Sequence, residues 1–134
     1  MSVLEGLTLP PAAILLGSEF LSEDPEAGTV EVAFHPDDRM LNPTGTVQGG
    51  IVAAMLDDTM GPALLVATRG ELVASTIDMS VSFLRPVKPG RVIGRGRVVR
   101  LGRQVAFLEA ELCDEAGVVL ARATSSAVPV PVKR

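Results

Sequence analysis

The sequence predicts a single α+β domain in which one long helix lies across an antiparallel sheet. Three observations predict it. Only one segment, about Val47 to Thr68, reads as a long helix. Strand after strand follows that segment, each closed by a Gly- or Pro-containing turn. No Pro/Gly/Ser-rich linker, repeat or low-complexity stretch divides the 134 residues, so residues 1–134 form one domain.

The elements follow in order. Pro10 to Leu16, closed by Gly17, is a short helix, with proline in its first turn and glycine at its end. Ser18 to Asp24 and Gly28 to Phe34 read as two strands joined by the turn Pro25-Glu26-Ala27-Gly28. Val30, Val32 and Phe34 alternate with Glu31 and Ala33, the period of a half-buried strand. A turn-rich loop, His35 to Gly45, leads into the long helix. Apolar residues surround that helix instead of forming one stripe, which predicts burial on all sides, and Gly61-Pro62 should bend it. Leu72 to Leu84, Arg91 to Arg100, Val105 to Cys113 and Val118 to Val128 complete the sheet, with Pro129-Val130-Pro131 ending the last strand.

Composition narrows the function. Hydrophobic residues make up 47% and charged residues 21%, and the mean hydropathy is +0.36. A chain this small cannot bury so much apolar surface alone, which predicts self-association. A net charge of −4, without Trp or Tyr, argues against nucleic acid as a partner. The single Cys113 allows no internal disulfide, reads as a buried thiol and suits a reducing, cytoplasmic setting. No cationic, apolar leader opens the sequence, and Asp57, Asp58 and Pro62 interrupt the longest apolar run, so no membrane span is expected.

Several chemistries drop out. The lone His35 and lone Cys113 cannot furnish a usual zinc site, and no Gly-x-Ser-x-Gly elbow exists. Gly94-Arg95-Gly96 lacks the third glycine and the following helix of a dinucleotide fingerprint, so no cofactor is expected.

What remains is the helix entry, Asn42-Pro43-Thr44-Gly45-Thr46-Val47-Gln48-Gly49-Gly50, and the pair Asp57-Asp58. Two glycines in a first helical turn let something approach the backbone closely. That partner is either a ligand reaching the free first-turn N–H groups or another strand or subunit. Asp57 shares a stripe of small residues with Gly50, Ala53, Ala54 and Gly61. An apolar setting for that carboxylate demands either a function or satisfying hydrogen bonds. Gln48 and Asp57 stand nine residues apart, roughly 13–14 Å along one helix. If both serve one site, the helix end of one subunit must meet Asp57 of another.

Asn42-x-x-Gly45-x-x-Gln48-Gly49-Gly50, with Asp57 nine positions after Gln48, resembles the hotdog-fold acyl-CoA thioesterases of the phenylacetate-pathway (PaaI-like) group. Thr76 to Pro86 and Gly117 to Ala123 look like that group's central strand and closing strand, so the likeness runs from about residue 30 to 129. The resemblance implies one long helix wrapped by an antiparallel sheet, and a homodimer or homotetramer with active sites at the dimer interface. It implies hydrolysis of medium-chain or aryl acyl-CoA, with Asp57 as general base or nucleophile and the Gly49 amide polarising the thioester carbonyl. Asn42 would shape the site around the water or Asp57, Thr76 would contribute a hydroxyl, and Gly50 would border the substrate. Arg85, with Arg91, Arg95, Arg97, Arg100 and Arg103, would be candidates for the CoA phosphates. The group commonly has His-Gly-Gly where this chain has Gln48-Gly49-Gly50, and glutamine does not titrate near neutral pH. The alternative is therefore a hotdog protein that binds acyl-CoA or a small acid without turnover.

Overall fold

The computed structural model describes residues 2–133. Its elements run α1 (Pro11–Leu15), β1 (Glu19–Asp24), β2 (Thr29–Phe34), a 3-10 turn (Asp38–Met40), α2 (Gly49–Ala67), β3 (Leu72–Phe83), β4 (Val92–Leu101), β5 (Ala106–Cys113) and β6 (Val119–Pro131). The six strands form one antiparallel sheet in the order β1-β2-β4-β5-β6-β3, and α2 packs on one face of it. This is the predicted α+β arrangement. Cys113 is buried as a free thiol, and burial pushes its pKa up.

Close contact between α2 and the sheet depends on β4. Gly94 and Gly96 are two apart, so they share the face turned to the helix. A methyl group on Gly94 would overlap the Thr59 hydroxyl, and one on Gly96 would sit 2.6 Å from the Thr59 carbonyl oxygen. The glycines that looked like a broken cofactor motif are thus the seat of the helix. Thr59 is fully buried there, and its hydroxyl donates to the Met55 carbonyl at 2.8 Å. Around it Met55, Leu56, Met60 and Leu64 meet Val32 and Phe34 of β2 and Leu108 and Leu112 of β5 in one core.

Burial of the helix on all sides is not observed. Gly50 and Asp57 are exposed, and Ala53, Ala54, Asp58 and Gly61 are only half-buried. Ile51, Ala54 and Leu65 pack against the edge of the core while remaining half-buried, and the residues between them on the open side are small. By length and hydropathy α2 would also suit a membrane span, but its larger side chains are occupied by the sheet. It runs unbroken through Pro62.

The last strand also differs from expectation. β6 does not stop before Pro129 but runs on to Pro131, its last residue, and the two prolines pair in register with Ala74 and Leu72 of β3. Beyond Ala127, where the pairing with β5 stops, β6 has a neighbour on one side only. A proline without an N–H is tolerated where no second neighbour needs it.

The opposite face of the sheet is polar. Register places Glu31, Arg95, Glu111 and Arg122 side by side across β2, β4, β5 and β6. Arg95 pairs with Glu31 at 2.8 Å, and Arg97 pairs with Glu109. Opposite charges directly across strands support the sheet.

Gly96→Ala should destabilise the fold by about 1–3 kcal/mol, because the added methyl meets helix backbone that cannot step aside. Urea unfolding followed by circular dichroism measures this; unchanged stability would mean that α2 is not seated on β4 as described.

Candidate active site

The helix entry is built by its loop. Asn42 Oδ1 accepts from the Thr44 N–H at 3.0 Å, the Thr44 hydroxyl at 2.8 Å and the Thr46 N–H at 3.1 Å. Its Nδ2 donates to the Thr46 hydroxyl at 2.9 Å. Gly45 closes this turn with φ +83, a conformation that favours glycine, and its N–H donates to the Asn42 carbonyl at 3.0 Å. Asn42-x-x-Gly45 is thus a self-contained turn. Within the chain the Asn42 side chain bonds only its own turn and so shapes the backbone that delivers the helix.

Gln48 is the N-cap of α2, so the helix begins at Gly49, two positions after the predicted start at Val47. Its Oε1 accepts from the Ile51 N–H at 3.2 Å. The backbone N–H of Gln48 donates to Met40 at 2.8 Å, and that of Val47 donates to Val87 at 2.7 Å, which pins the helix end. The Gly49 and Gly50 amides have no hydrogen-bond partner among the described residues. Gly49 lies 3.5 Å from the Phe83 ring, counted from where a methyl would stand, while the space beside Gly50 holds only the flexible Gln48 side chain. Neither glycine is pressed against backbone in the single chain.

Asp57 stands further along α2, exposed, and accepts a hydrogen bond from the Thr76 hydroxyl of β3 at 3.1 Å. Two residues singled out from sequence, 19 apart in the chain, are therefore brought together. The expectation that Asp57 is the carboxylate pushed into apolar surroundings is not met. That carboxylate is Asp58. Burial raises its pKa to about 6, and the neighbouring charge of Asp57 adds to the shift. The helical turn explains the exchange: Thr59 points into the sheet, Asp57 lies roughly 200° from it, and Asp58 falls on the flank.

Arg85 is exposed and donates to the Val119 carbonyl at 2.6 Å, so its guanidinium is partly engaged by the chain itself. Arg95 and Arg97 belong to the charge ladder on the far face, where a recess of 680 Å³ lies between paired charges and away from α2. Among the described residues no three His, Cys, Asp or Glu side chains gather as metal ligands.

Sequence reasoning missed two features. Gly94 and Gly96 signal a close approach because two glycines share one face of a strand. Asp58 carries the signal of a helical row, since Gly61, Pro62 and Leu65 follow it at three, four and seven residues.

A sheet wrapped on one long helix is the fold the sequence motif implied. The sequence profile of the thioesterase superfamily matches residues 44–121. The chain belongs to that superfamily. The proofreading thioesterase EntH of Klebsiella pneumoniae is 36% identical over 94 residues, covering 69% of this chain and 67% of that protein. Human acyl-coenzyme A thioesterase 13 is 29% identical over 90 residues, 66% of this chain and 64% of that protein. The chain thus spans about two thirds of the length of these relatives. It superposes on the phenylacetic acid degradation-related protein of Ralstonia eutropha with a TM-score of 0.86 at 35% identity, covering 94% of this chain and 95% of that one. The fold is a hotdog fold, and this superfamily member is a thioester hydrolase.

Asp58 also affects stability. Its folded-state pKa of about 6 lies above the ordinary value of 3.8, so the folded state holds the proton more tightly than the unfolded chain. The benefit is complete below about pH 4 and is lost as pH rises through about 6. Two pH units correspond to about 3 kcal/mol for a fully buried group, and half-exposure reduces this to about 1 kcal/mol. Asp58→Asn should therefore be more stable than the parent at pH 7.5 by about 1 kcal/mol, with the gain vanishing near pH 4. Thermal unfolding across that range measures it, and a gain independent of pH would contradict the assignment.

Proposed function

We propose that the protein hydrolyses acyl-CoA thioesters, of medium-chain or aryl acyl groups, at a site made by two copies of the chain. The observation that carries this reading is the Asp57–Thr76 pair. An exposed carboxylate is held in place by a hydroxyl on an otherwise apolar side of α2. The Gly49 amide at the start of the same helix is free to donate.

The two groups cannot act on one carbonyl from a single helix, since eight residues separate them by roughly 12 Å. An antiparallel copy of α2 would bring the Gly49 end of one chain to Asp57 of the other. Two features support such a pairing. β3 is an edge strand of 12 residues bonded only to β6, and a long free edge invites another strand. It also exposes Ile77 to 59% and Phe83 to 57%, and the Phe83 ring lies against Gly49 at the start of α2.

At such a site Asp57 either takes a proton from water as that water attacks the thioester carbon, or attacks the carbon itself to form an anhydride that water then opens. The negative charge developing on the carbonyl oxygen falls on the Gly49 N–H at the positive end of the helix dipole. Carbon–sulfur cleavage then releases CoA as its thiolate. Thr76 orients Asp57. Gln48 supplies the cap that aims the first-turn amides, a task that needs no titrating group. Gly50 leaves room for the substrate, and Arg85 stands at the end of β3 as a candidate for the phosphates.

Asp57→Asn should lower kcat by roughly 10²–10⁴ while the fold is kept. Asp58→Asn should retain a much larger share of turnover. Gly49→Pro isolates the amide: proline at the first helical position keeps the helix and removes only the N–H. It should lower kcat by roughly 10²–10³. Thiol release from a panel of acyl-CoAs measures all three. Full activity in Gly49→Pro, or equal losses in the two aspartate variants, would overturn the assignment.

A further inference from the structure

The Asp57–Thr76 hydrogen bond joins two elements that are held independently of each other. Thr76 belongs to the sheet. It pairs with Ala127 of β6 while Asp78 pairs with Ser126, so Ile77 is an extra residue that bulges out between two fixed positions. A bulge re-aims the side chains beside it, and here the Thr76 hydroxyl reaches α2. Asp57 belongs to the helix. At 3.1 Å the bond between them is long for a hydroxyl donor, so a small movement of α2 breaks it.

Only the middle of α2 is free to make that movement. The start is tied through the Val47 and Gln48 N–H groups to Val87 and Met40. The end is tied by the Thr68 hydroxyl, which accepts from the Leu72 N–H at 3.0 Å. Between the two ends Pro62 offers no N–H to the Asp58 carbonyl, which makes that turn easier to bend. What holds the middle down is Thr59, two residues from Asp57 and roughly 200° around the helix from it. Gly94 and Gly96 of β4 admit it by different contacts. A methyl on Gly94 would run into the Thr59 side chain, whereas one on Gly96 would run into the Thr59 backbone. Standing 2.6 Å from that carbonyl oxygen, the Gly96 methyl would need about 1 Å more room. A helix lifted by that much carries Asp57 outward past Thr76, which the sheet does not release.

We propose that Thr59, Gly94 and Gly96 are positioning residues: the depth at which they seat α2 on β4 sets the Asp57–Thr76 contact, and through it the rate of the chemical step. They act from the side of the helix turned away from Asp57. The inference rests on the thioesterase reading for the rate, but not for the contact.

The test measures kcat and KM by thiol release from an acyl-CoA for Gly94→Ala and Gly96→Ala in three chains: the parent, Thr59→Ala and Thr76→Val. Each is assayed where circular dichroism shows it folded. In the parent either alanine should lower kcat roughly tenfold, the loss of about one hydrogen bond to a charged acceptor, with KM changed less than about twofold. In Thr59→Ala the Gly94 substitution should cost little, because the side chain it meets is gone, while Gly96→Ala should keep its full effect. In Thr76→Val, where the bond is already absent, neither alanine should lower kcat further by more than about twofold. Crystal structures of the variants give a readout without turnover: in Gly96→Ala the Asp57–Thr76 oxygen separation should exceed about 3.5 Å. If the alanine variants do not fold, Thr59→Val carries both measurements, since it sets a wider methyl where the hydroxyl meets Gly94 and should show the same pattern at smaller size. Unchanged kcat, losses that multiply in full with that of Thr76→Val, or a separation kept at 3.1 Å would overturn the inference and leave the thioesterase reading intact. A parent that releases no thiol from any acyl-CoA would overturn that reading, and the separation alone would then decide whether the seat sets the contact.

Discussion

Contact between Thr59 and the glycine pair of β4 orients everything else in this domain. Because Gly94 and Gly96 present no side chains, the helix backbone comes down onto the strand at Thr59, where any larger residue would hold it off. Once Thr59 points inward, the rotation of roughly 100° per residue decides its neighbours. Met55, Met60 and Leu64 enter the core, Asp57 is turned to the outside beside Thr76, and Asp58 is left on the flank against the N-terminal segment. One steric allowance in a strand thus separates two adjacent carboxylates into different environments. The exposed one is free to meet substrate, and the half-buried one becomes part of a cavity wall.

The same placement leaves the molecule with surfaces that call for a second chain. Small residues along the open side of α2 cover little, and the free edge of β3 carries exposed Ile77 and Phe83. The helix N-terminus and Asp57 lie too far apart to cooperate within one chain. These are three aspects of one geometry. A sheet packed on one side of a single helix leaves the other side open, and in the proposed dimer that open side is both the interface and the reaction site.

Much of this was legible in the sequence, and the exceptions have physical causes. Element order, the glycine-closed turns and the single long helix follow from period and punctuation, which are local signals. Asp57 and Thr76 were singled out by their resemblance to a known motif, and the hydrogen bond between them agrees. Period could not tell a helix buried all round from one whose open side is merely small, because alanine and glycine count as apolar in either case. It likewise could not say which of two adjacent aspartates faces the N-terminal segment, since that depends on a contact with residues as distant in sequence as Leu4. Gly94 and Gly96 were read against a cofactor motif and set aside; their purpose needs the helix that lies on them. Pro129 and Pro131 were read as stops because the loss of a neighbour beyond Ala127 is a property of the sheet, not of the strand.

Subunit complementation tests the central claim, a site shared between chains, most directly. Asp57→Asn and Gly49→Pro chains are each expected to be nearly inactive alone, and each retains the group that the other lacks. When they are unfolded together in equal amounts and refolded, half of the dimers should be mixed, and each mixed dimer should hold one intact site. The account predicts recovery of about a quarter of the parent activity, well above the sum of the two variants. If refolded mixtures that demonstrably contain mixed dimers show no more activity than the separate variants, then Asp57 and the Gly49 amide do not meet across the interface, and the account is wrong.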